Sequence, residues 1–191
     1  MDDLSRCWWG DGTHADPRMA TYHDTEWGIR VHDDTELFER LVLETFQAGL
    51  SWQTILNKRE AFRAAFEGFD PTRVAGYGDA ERARLMADAG IVRNGAKIEA
   101  TIANARALLE VAAEFGSFDR YLDSLVPGPP APLPASTVGG QIPSTTPVSD
   151  ALSKDMKRRG FRFVGPTVVY AFMQSVGLVD DHLPGCFRYS G

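Results

Sequence analysis

The sequence is poor in cysteine and contains no long apolar run. Two cysteines, Cys7 and Cys186, occur in 191 residues. No stretch approaches the roughly eighteen apolar residues of a membrane-spanning helix, so we do not expect the chain to cross a membrane. The first ten residues are acidic and then aromatic, unlike a secretory signal. We therefore expect a cytoplasmic protein, in which thiols serve metal binding or chemistry more often than disulfides.

An excess of positive charge is also lacking. The chain carries 26 acidic and 20 basic residues and a net charge of −6, which argues against a strongly basic nucleic-acid coat. That total still allows a local basic patch. The most basic stretch, residues 154–162, sets five basic side chains against the single acid Asp155: Lys154, Lys157, Arg158, Arg159 and Arg162.

Strand signals are scarce, and apolar residues recur instead at helical spacing, which predicts an all-α fold. Asp34 or Thr35 can cap a helix that ends near residues 48–49, and Ser51 can cap the next. Other helices are predicted over 79–87, 94–115, 118–125, 149–159 (capped by Ser149) and 167–176, with a short turn beginning at Asp70-Pro71. In the longest of them, four residues should face inward: Ile98, Ile102, Ala105 and Leu109.

The length and a hydrophobic fraction of 43% fit one domain, or two small lobes that share a core. Residues 127–143 are dense in proline and glycine, so they form either a loop that links two parts of the fold or a disordered spacer. We divide the single domain 1–191 into an N-terminal half-site at 1–52, a helical body at 53–126, a Pro/Gly-rich loop at 127–148 and a C-terminal segment at 149–191.

Each cysteine lies near a histidine. Cys7 precedes His23 by sixteen positions, and His182 and Cys186 form an H-x3-C pair. Two thiolates and two imidazoles are a ligand set for zinc, which binds four nitrogen or sulfur donors tetrahedrally in structural sites. Two other interpretations stay open: the cysteines are small buried hydrophobes, or they form a disulfide. The remaining histidines, His14 and His32, are expected to be solvated.

Residues 150–177 are typical of a helix-hairpin-helix motif, a short turn between two helices. Gly160 and Gly165 bound the turn and allow positive φ, and Pro166 at the first helical position leaves neighbouring amides free to bind phosphate. Phe161, Phe163 and Val164 are expected to anchor the turn in the core. The alternative is an ordinary helical hairpin with a solvated basic face.

The chain resembles 3-methyladenine DNA glycosylase I over essentially its whole length. The matching stretches run in order from residue 6 to residue 186: Arg6-Cys7-x-Trp9, Tyr22-His23-Asp24-x-Glu26-Trp27-Gly28, Leu43-Glu44, Gln47-Ala48-Gly49-Leu50-Ser51-Trp52, Asp88-Ala89-Gly90-Ile91, Asp150-Ala151-Leu152-Ser153-Lys154, Arg159-Gly160-Phe161-x-Phe163-Val164-Gly165, and Gly177-Leu178-Val179-x-Asp181-His182-x3-Cys186.

The resemblance implies an all-helical glycosylase fold of two lobes with a base pocket between them. It implies one structural Zn²⁺ that joins the two ends of the chain through four ligands: Cys7, His23, His182 and Cys186. It implies a stacking role for Trp52, a place at the base edge for Glu44, and a pocket wall that includes Tyr22 and Trp9, with Trp27 nearby. Met19 stands where the family often has an aromatic residue.

The implied partner is double-stranded DNA that contains 3-methyladenine, bound by a monomer. Its backbone would lie against the hairpin at Lys154, Arg158, Arg159, Gly160, Gly165 and Thr167. Methylation at N3 makes the base cationic, so it should stack strongly on indole and suit an ionised Glu44, which accepts hydrogen bonds. The same charge weakens the glycosidic bond, so little acid catalysis is needed. We interpret Asp181 as support for the ligand His182 and not as a catalytic group.

No lysine is expected in the pocket, since Lys58 and Lys154 are better explained as surface groups, so we expect hydrolysis without strand cleavage. Two alternatives to this enzyme are considered. One is a non-catalytic, zinc-stabilised helix-hairpin-helix module that binds DNA, which would not need the pair of Glu44 and Trp52. The other is a redox or metal sensor that uses Cys7 and Cys186.

Overall fold

The computed structural model describes residues 4–10, 16–128 and 130–191, which leaves His14 outside the described residues. Within these ranges the chain forms nine α-helices and no strand, with one isolated bridge between Pro132 and Asp180. The helices are α1 Pro17–Thr25, α2 Asp34–Gln47, α3 Trp52–Ala65, α4 Pro71–Ala75, α5 Asp79–Ala87, α6 Gly95–Phe115, α7 Phe118–Leu125, α8 Pro147–Arg158 and α9 Pro166–Ser175. None of the helices in the described ranges is both long enough and apolar enough to cross a membrane.

Most helices begin at a side-chain cap of the kind that the sequence predicts. Asp33, one residue before the predicted position, accepts a hydrogen bond from the Glu36 amide at 2.9 Å. Ser51 caps α3 as expected. The start of α8 is different from the prediction, because Thr146 is the cap and Ser149 is its reciprocal partner in the first turn. Each of these two side chains accepts from the other's amide, so α8 begins earlier than the prediction.

A contiguous apolar core draws residues from α2 through α9. Helix α2 runs through it, with Leu37, Phe38 and Leu41 fully buried. In α6, Ile98, Ile102 and Ala105 face inward as predicted, but Leu109 is 36% exposed and Leu108 is buried in its place. One residue turns the helix by about 100°, so a stripe extended by four positions from Ala105 drifts off the buried face.

The turn between α8 and α9 is fixed by buried side chains of other helices. The Asn104 side chain accepts from the Arg162 amide at 2.7 Å and donates to the Arg162 carbonyl at 3.1 Å. Phe161 and Val164 are buried as predicted, whereas Phe163 is 44% exposed with φ +54°, so its predicted burial was wrong. Gly160 has φ +93°, but Gly165 lies at φ −64°, an ordinary extended conformation, so only the first glycine needs its conformational freedom.

The proline-rich segment packs against the C-terminal residues. The Tyr189 hydroxyl donates to the Leu133 carbonyl at 2.6 Å, and the bridge from Pro132 to Asp180 lies close by. A 3₁₀ turn forms at Gly139–Gln141. These contacts favour the linking loop over the disordered spacer, and they bring Ile142 to the site described next.

Candidate functional site

A cavity of about 310 Å³ brings together all five side chains that were predicted to bind a base. It lies among α1, α2, α3 and α9 and is lined by Trp9, Met19, Tyr22, Trp27, Glu44, Gln47, Trp52, Ile142, Ala171 and Gln174. Sequence reasoning missed four lining residues: Gln47, Ile142, Ala171 and Gln174. The spacing of Ala171 and Gln174, three apart on α9, would place them on one helical face, but nothing in the sequence says which face meets the cavity.

Aromatic rings form most of the cavity wall. The Tyr22 and Trp52 rings lie 5.0 Å apart, and Trp9 meets Trp27 edge to face at 4.9 Å. Such surfaces suit a flat unsaturated ligand. The Trp52 indole nitrogen is buried and has no hydrogen-bond partner within the described ranges. A buried unpaired donor is costly, which indicates that a ligand completes this wall.

Glu44 provides the cavity with its one acidic side chain among the lining residues. It is 5% exposed, and no hydrogen bond reaches its carboxyl group from the described part of the chain. Burial raises its pKa from 4.5 to about 8, and the positive charge of Arg40 opposes that rise. A carboxyl group in this state takes up a negative charge readily when a cation or a donor enters the cavity.

Charged residues support the cavity from behind Tyr22. Arg40 pairs with Glu26 at 2.5 Å, and Arg59 binds Glu26 at 2.6 Å and Glu39 at 2.5 Å. These ion pairs tie α1, α2 and α3 together. They line a polar groove of about 970 Å³ that shares Tyr22 with the smaller cavity.

The four predicted metal ligands meet in one buried cluster. Their ligand atoms all lie within 4.8 Å of one another. The His182 Nδ1 atom lies 3.7 Å from the Sγ atom of each cysteine, and the His23 Nε2 atom lies 3.4 Å from Cys186 Sγ. This cluster could hold a metal ion.

The two histidines of the cluster are already in the protonation state that metal binding requires, whereas Cys7 is not. Burial lowers the pKa of His182 to about 4 and lowers that of His23, so both rings are neutral ligands at neutral pH. Burial raises the pKa of the Cys7 thiol to about 12. That thiol would therefore keep its proton until a metal displaces it.

The outer nitrogen of each histidine is fixed by a neighbour. His23 Nδ1 lies 2.8 Å from the Asp24 carboxylate, which Arg6 also binds, and His182 Nε2 lies 3.3 Å from the Trp27 carbonyl. Such contacts orient ligand rings toward an ion. The sequence motif contains Asp24, but sequence reasoning did not assign it this role.

Asp181 does not support the His182 ring, and this part of the prediction was wrong. Its buried carboxylate accepts from the Tyr170 hydroxyl at 2.6 Å and from the Gln174 amide at 2.7 Å. Asp181 is not among the cavity-lining residues. Both donors bind the same Asp181 oxygen. Asp181 therefore holds Gln174, which does line the cavity.

The cluster of four candidate metal ligands and the cavity share a wall. The His23 ring meets Trp9 edge to face at 5.1 Å, and the His182 ring meets Trp27 at 4.7 Å. Tyr22 directly precedes His23 in α1. Any ion that fixes the two histidines would therefore also fix three aromatic residues of the cavity.

The basic residues that were predicted to contact DNA differ in their exposure and in their ion pairs within the protein. Lys154 and Arg158 are exposed, although Arg158 pairs with Asp155. Arg159 is held by Glu114 at 2.6 Å and by Asp155 at 2.7 Å, and it lies over the Phe115 ring. The basic stretch is therefore partly neutralised inside the protein, which the count of residue types does not reveal.

The amino end of α9 is open. Gly165 occupies the cap position without a side chain, and Pro166 follows at the first helical position. A Cβ atom built on Gly165 would meet nothing within 4 Å, and Gly160 and Thr167 are exposed beside it. Free amides at such a helix start can bind an anion.

Comparisons with known proteins show which family the chain resembles. The family model for methyladenine glycosylase matches residues 9–189. The chain is 47% identical to DNA-3-methyladenine glycosylase 1 of Escherichia coli over 188 residues, which cover 98% of each protein. A crystal structure of 3-methyladenine DNA glycosylase I superposes with a TM-score of 0.90 at 46% identity, covering 97% of this chain and all of that one. A second structure, of the Staphylococcus aureus enzyme and its recognition of 3-methyladenine, gives a TM-score of 0.88 at 38% identity and covers 96% of each chain. The chain therefore belongs to the methyladenine glycosylase family.

Proposed function

We propose that this protein removes 3-methyladenine from alkylated double-stranded DNA by hydrolysing its N-glycosidic bond. The observation that carries the proposal is the unpaired, buried carboxyl group of Glu44 in a cavity walled by aromatic rings. A base must leave the stack to reach such a cavity, as it does in other enzymes that act on single bases. The names of the relatives, which refer to the same base, support the substrate.

The cavity suits a cationic purine better than a neutral one. Methylation at N3 places a positive charge on the ring, and a cation over an indole gains about 0.5–2 kcal/mol. The same charge favours the ionised form of Glu44. The carboxylate would then accept a hydrogen bond from the exocyclic amine, whereas a purine that offers an acceptor at that position would be rejected.

The substrate's charge also explains why the cavity can work without a strong general acid. A cationic purine leaves as a neutral base and does not need to be protonated first. Holding the sugar and the base in the reactive orientation can therefore supply most of the rate enhancement. Asp181 lies behind Gln174 and is unsuited to act on the sugar directly. No lysine is among the residues that line the cavity, so we expect hydrolysis without a Schiff base or strand cleavage.

We propose that the metal cluster holds one structural Zn²⁺. For bond lengths of about 2.3 Å to sulfur and 2.0–2.1 Å to nitrogen, a tetrahedral site has a sulfur-to-nitrogen edge of about 3.6 Å. Three of the four separations between a cysteine sulfur and a histidine nitrogen are 3.4–3.7 Å, and all four ligand atoms lie within 4.8 Å of one another. Four protein ligands leave no open position for water, so the ion would stabilise the fold by joining residues near both ends of the chain.

The hairpin of α8 and α9 is proposed to bind the DNA backbone as a helix-hairpin-helix motif. Gly160, Gly165 and Thr167 surround the open start of α9, where a phosphate could accept from the free amides. Lys154 and Arg158 would add screened attraction from the exposed face of α8. Arg159 would act through its contacts with Glu114, by fixing the end of α8, and not through phosphate directly.

Release of the free base from methylated DNA tests the proposal. Chromatography should detect 3-methyladenine, little 7-methylguanine and no strand breaks, and borohydride should trap no adduct. Glu44→Ala and Trp52→Ala should reduce release strongly, whereas Glu110→Ala, which changes an exposed glutamate on α6, should match the wild type. Tight DNA binding with no base release would instead support a non-catalytic DNA-binding module.

A further inference from the structure

Arg40 lies in the wall between the polar groove and the base cavity. It lines the groove but not the cavity, whereas Tyr22 lines both. Its guanidinium carbon lies over the Tyr22 ring, 5.6 Å from the centroid. One guanidinium nitrogen binds Glu26 and Glu36, at 2.5 Å and 2.9 Å. The side chain is therefore held at one end by carboxylates and packed against the ring at its face.

The other two guanidinium nitrogens have no partner. Both Nε and Nη1 of Arg40 are buried, and no acceptor reaches them from the described residues. Arg59, which also ties helices together, differs in that two of its nitrogens bind carboxylates: Nε binds Glu39 and Nη1 binds Glu26. A guanidinium group can also be stabilised without a hydrogen bond, by stacking on the face of an aromatic ring, as Arg40 does on Tyr22.

Arg40 is also the charged neighbour of Glu44. The two are four residues apart on α2, so they share one helical face. From α1 the titratable group opposite Glu44 is Tyr22, and α3 and α9 add Trp52, Ala171 and Gln174, none of which carries a charge. No other cation among the described residues contributes to the ionisation of Glu44.

We propose that Arg40 is a positioning residue for base recognition, which braces Tyr22 from the side away from the cavity and keeps Glu44 available as a carboxylate. This inference rests on the proposed function. Glu26 and Glu36 partly offset the charge of Arg40 on the groove side, which limits its repulsion of an incoming cationic base. Removing the charge should weaken recognition most at pH values below the pKa of Glu44, where the carboxyl group must give up its proton as the base binds.

The test compares Arg40→Met, which keeps much of the side-chain bulk, with Arg40→Lys, which keeps the charge. Carboxyl ¹³C NMR would follow the titration of Glu44, with its signal identified by its loss in Glu44→Gln. The midpoint should rise by about one pH unit in Arg40→Met and stay near the wild-type value in Arg40→Lys. The acid limb of the pH profile of excision should shift upward by the same amount, about one pH unit. Excision at pH 7 should therefore fall about tenfold in Arg40→Met, because the ionised fraction of Glu44 falls by the same factor.

Arg63→Met is the matched control. Arg63 binds Glu39 and Glu60 in the same groove but is 38% exposed in its side chain and does not contact Tyr22. It should leave the midpoint and the pH profile unchanged. If Arg40→Met does not fold, Arg40→Gln removes the charge and retains hydrogen-bonding capacity.

Unchanged titration of Glu44 and an unchanged pH profile in a folded, neutral variant at position 40 would overturn the inference. A uniform loss of activity at every pH, with the midpoint unmoved, would also overturn it, because that is the result of a purely structural role. If the wild type releases no 3-methyladenine, the proposed function fails, while the NMR titration still decides the role of Arg40.

Discussion

Replacing Glu44 with glutamine should stabilise this protein while it impairs base removal. The amide has nearly the size of a protonated carboxyl group and similar hydrogen-bonding groups, so the substitution mainly removes the ability to ionise. In the folded chain burial holds the pKa of Glu44 at about 8, far above its ordinary value of 4.5. The unfolded chain loses that proton at a much lower pH than the folded chain does.

The sign and size of the effect follow from this difference. Below pH 4.5 both states bind the proton and the group costs nothing, whereas between pH 4.5 and 8 the free energy of unfolding falls as pH rises. At about 1.4 kcal/mol per unit, the cost is about 3 kcal/mol at pH 7. Glutamine does not incur this cost, and in a domain of this size we expect its melting temperature at pH 7 to rise by about 6–12 °C.

Thermal unfolding of both proteins, with the metal content held equal, would measure the difference across pH 4 to 8. The two melting temperatures should converge at pH 4 and separate steadily above it. A difference that does not vary with pH, or a glutamine variant that melts lower at pH 7, would refute the assignment of Glu44 as a buried, unpaired acid. Excision should fall by about 10- to 150-fold, because a charge-assisted hydrogen bond contributes about 1.5–3 kcal/mol.

Four further outcomes are expected. Trp52→Ala should weaken binding of free 3-methyladenine, measured by calorimetry, by about 5- to 150-fold through lost stacking; unaltered binding would remove it from the stacking role. Asp181→Asn should cost about 1–3 kcal/mol of stability through Tyr170 and Gln174 with full metal content, and metal loss would show that it supports the cluster after all. Gly165→Val should weaken DNA binding in gel-shift assays with little change in melting, because the new side chain meets only open space; equal binding would place the backbone elsewhere. Complete chelation should lower both the melting temperature and base affinity, and mass spectrometry should find one zinc per chain before treatment.

Much of the helical framework could be predicted because its signals are local. Caps such as Ser51, and the pair of Asp70 and Pro71, act on amides within one turn, so the sequence alone locates them. Helix α1 was missed because it is short and carries two buried polar or aromatic side chains whose burial depends on the cavity and the metal cluster. Phe163 was misplaced because it has a positive φ in a turn whose preceding residue, Arg162, is held by Asn104, a residue far away in the chain.

Most of the residues that meet in the cavity and in the ligand cluster could be named from the sequence, but their supporting contacts could not. The ligand set and the aromatic wall follow from motifs near both ends of the chain, and the structure brings both groups together. The partners of Asp181 could not be foreseen, since a carboxylate beside a ligand in sequence can point to a different helix. In the same way the basic stretch of α8 suggested a free Arg159, whereas Glu114 on α6 binds it. Such contacts depend on the packing of whole helices, which no local pattern encodes.

The unsatisfied groups of the cavity explain how it could distinguish damaged from normal adenine. With a pKa of about 8, Glu44 holds its proton in the empty cavity at pH 7, and removing it there costs about 1.4 kcal/mol. Under the proposed function, a cationic base in contact with the carboxylate would offset that cost, whereas neutral adenine would not. Trp52 adds a buried indole N–H that has no hydrogen-bond partner among the described residues. Selectivity would thus depend on the charge of the base more than on its shape. Arg40 would set the cost of ionising Glu44 that the positive charge of the base has to offset.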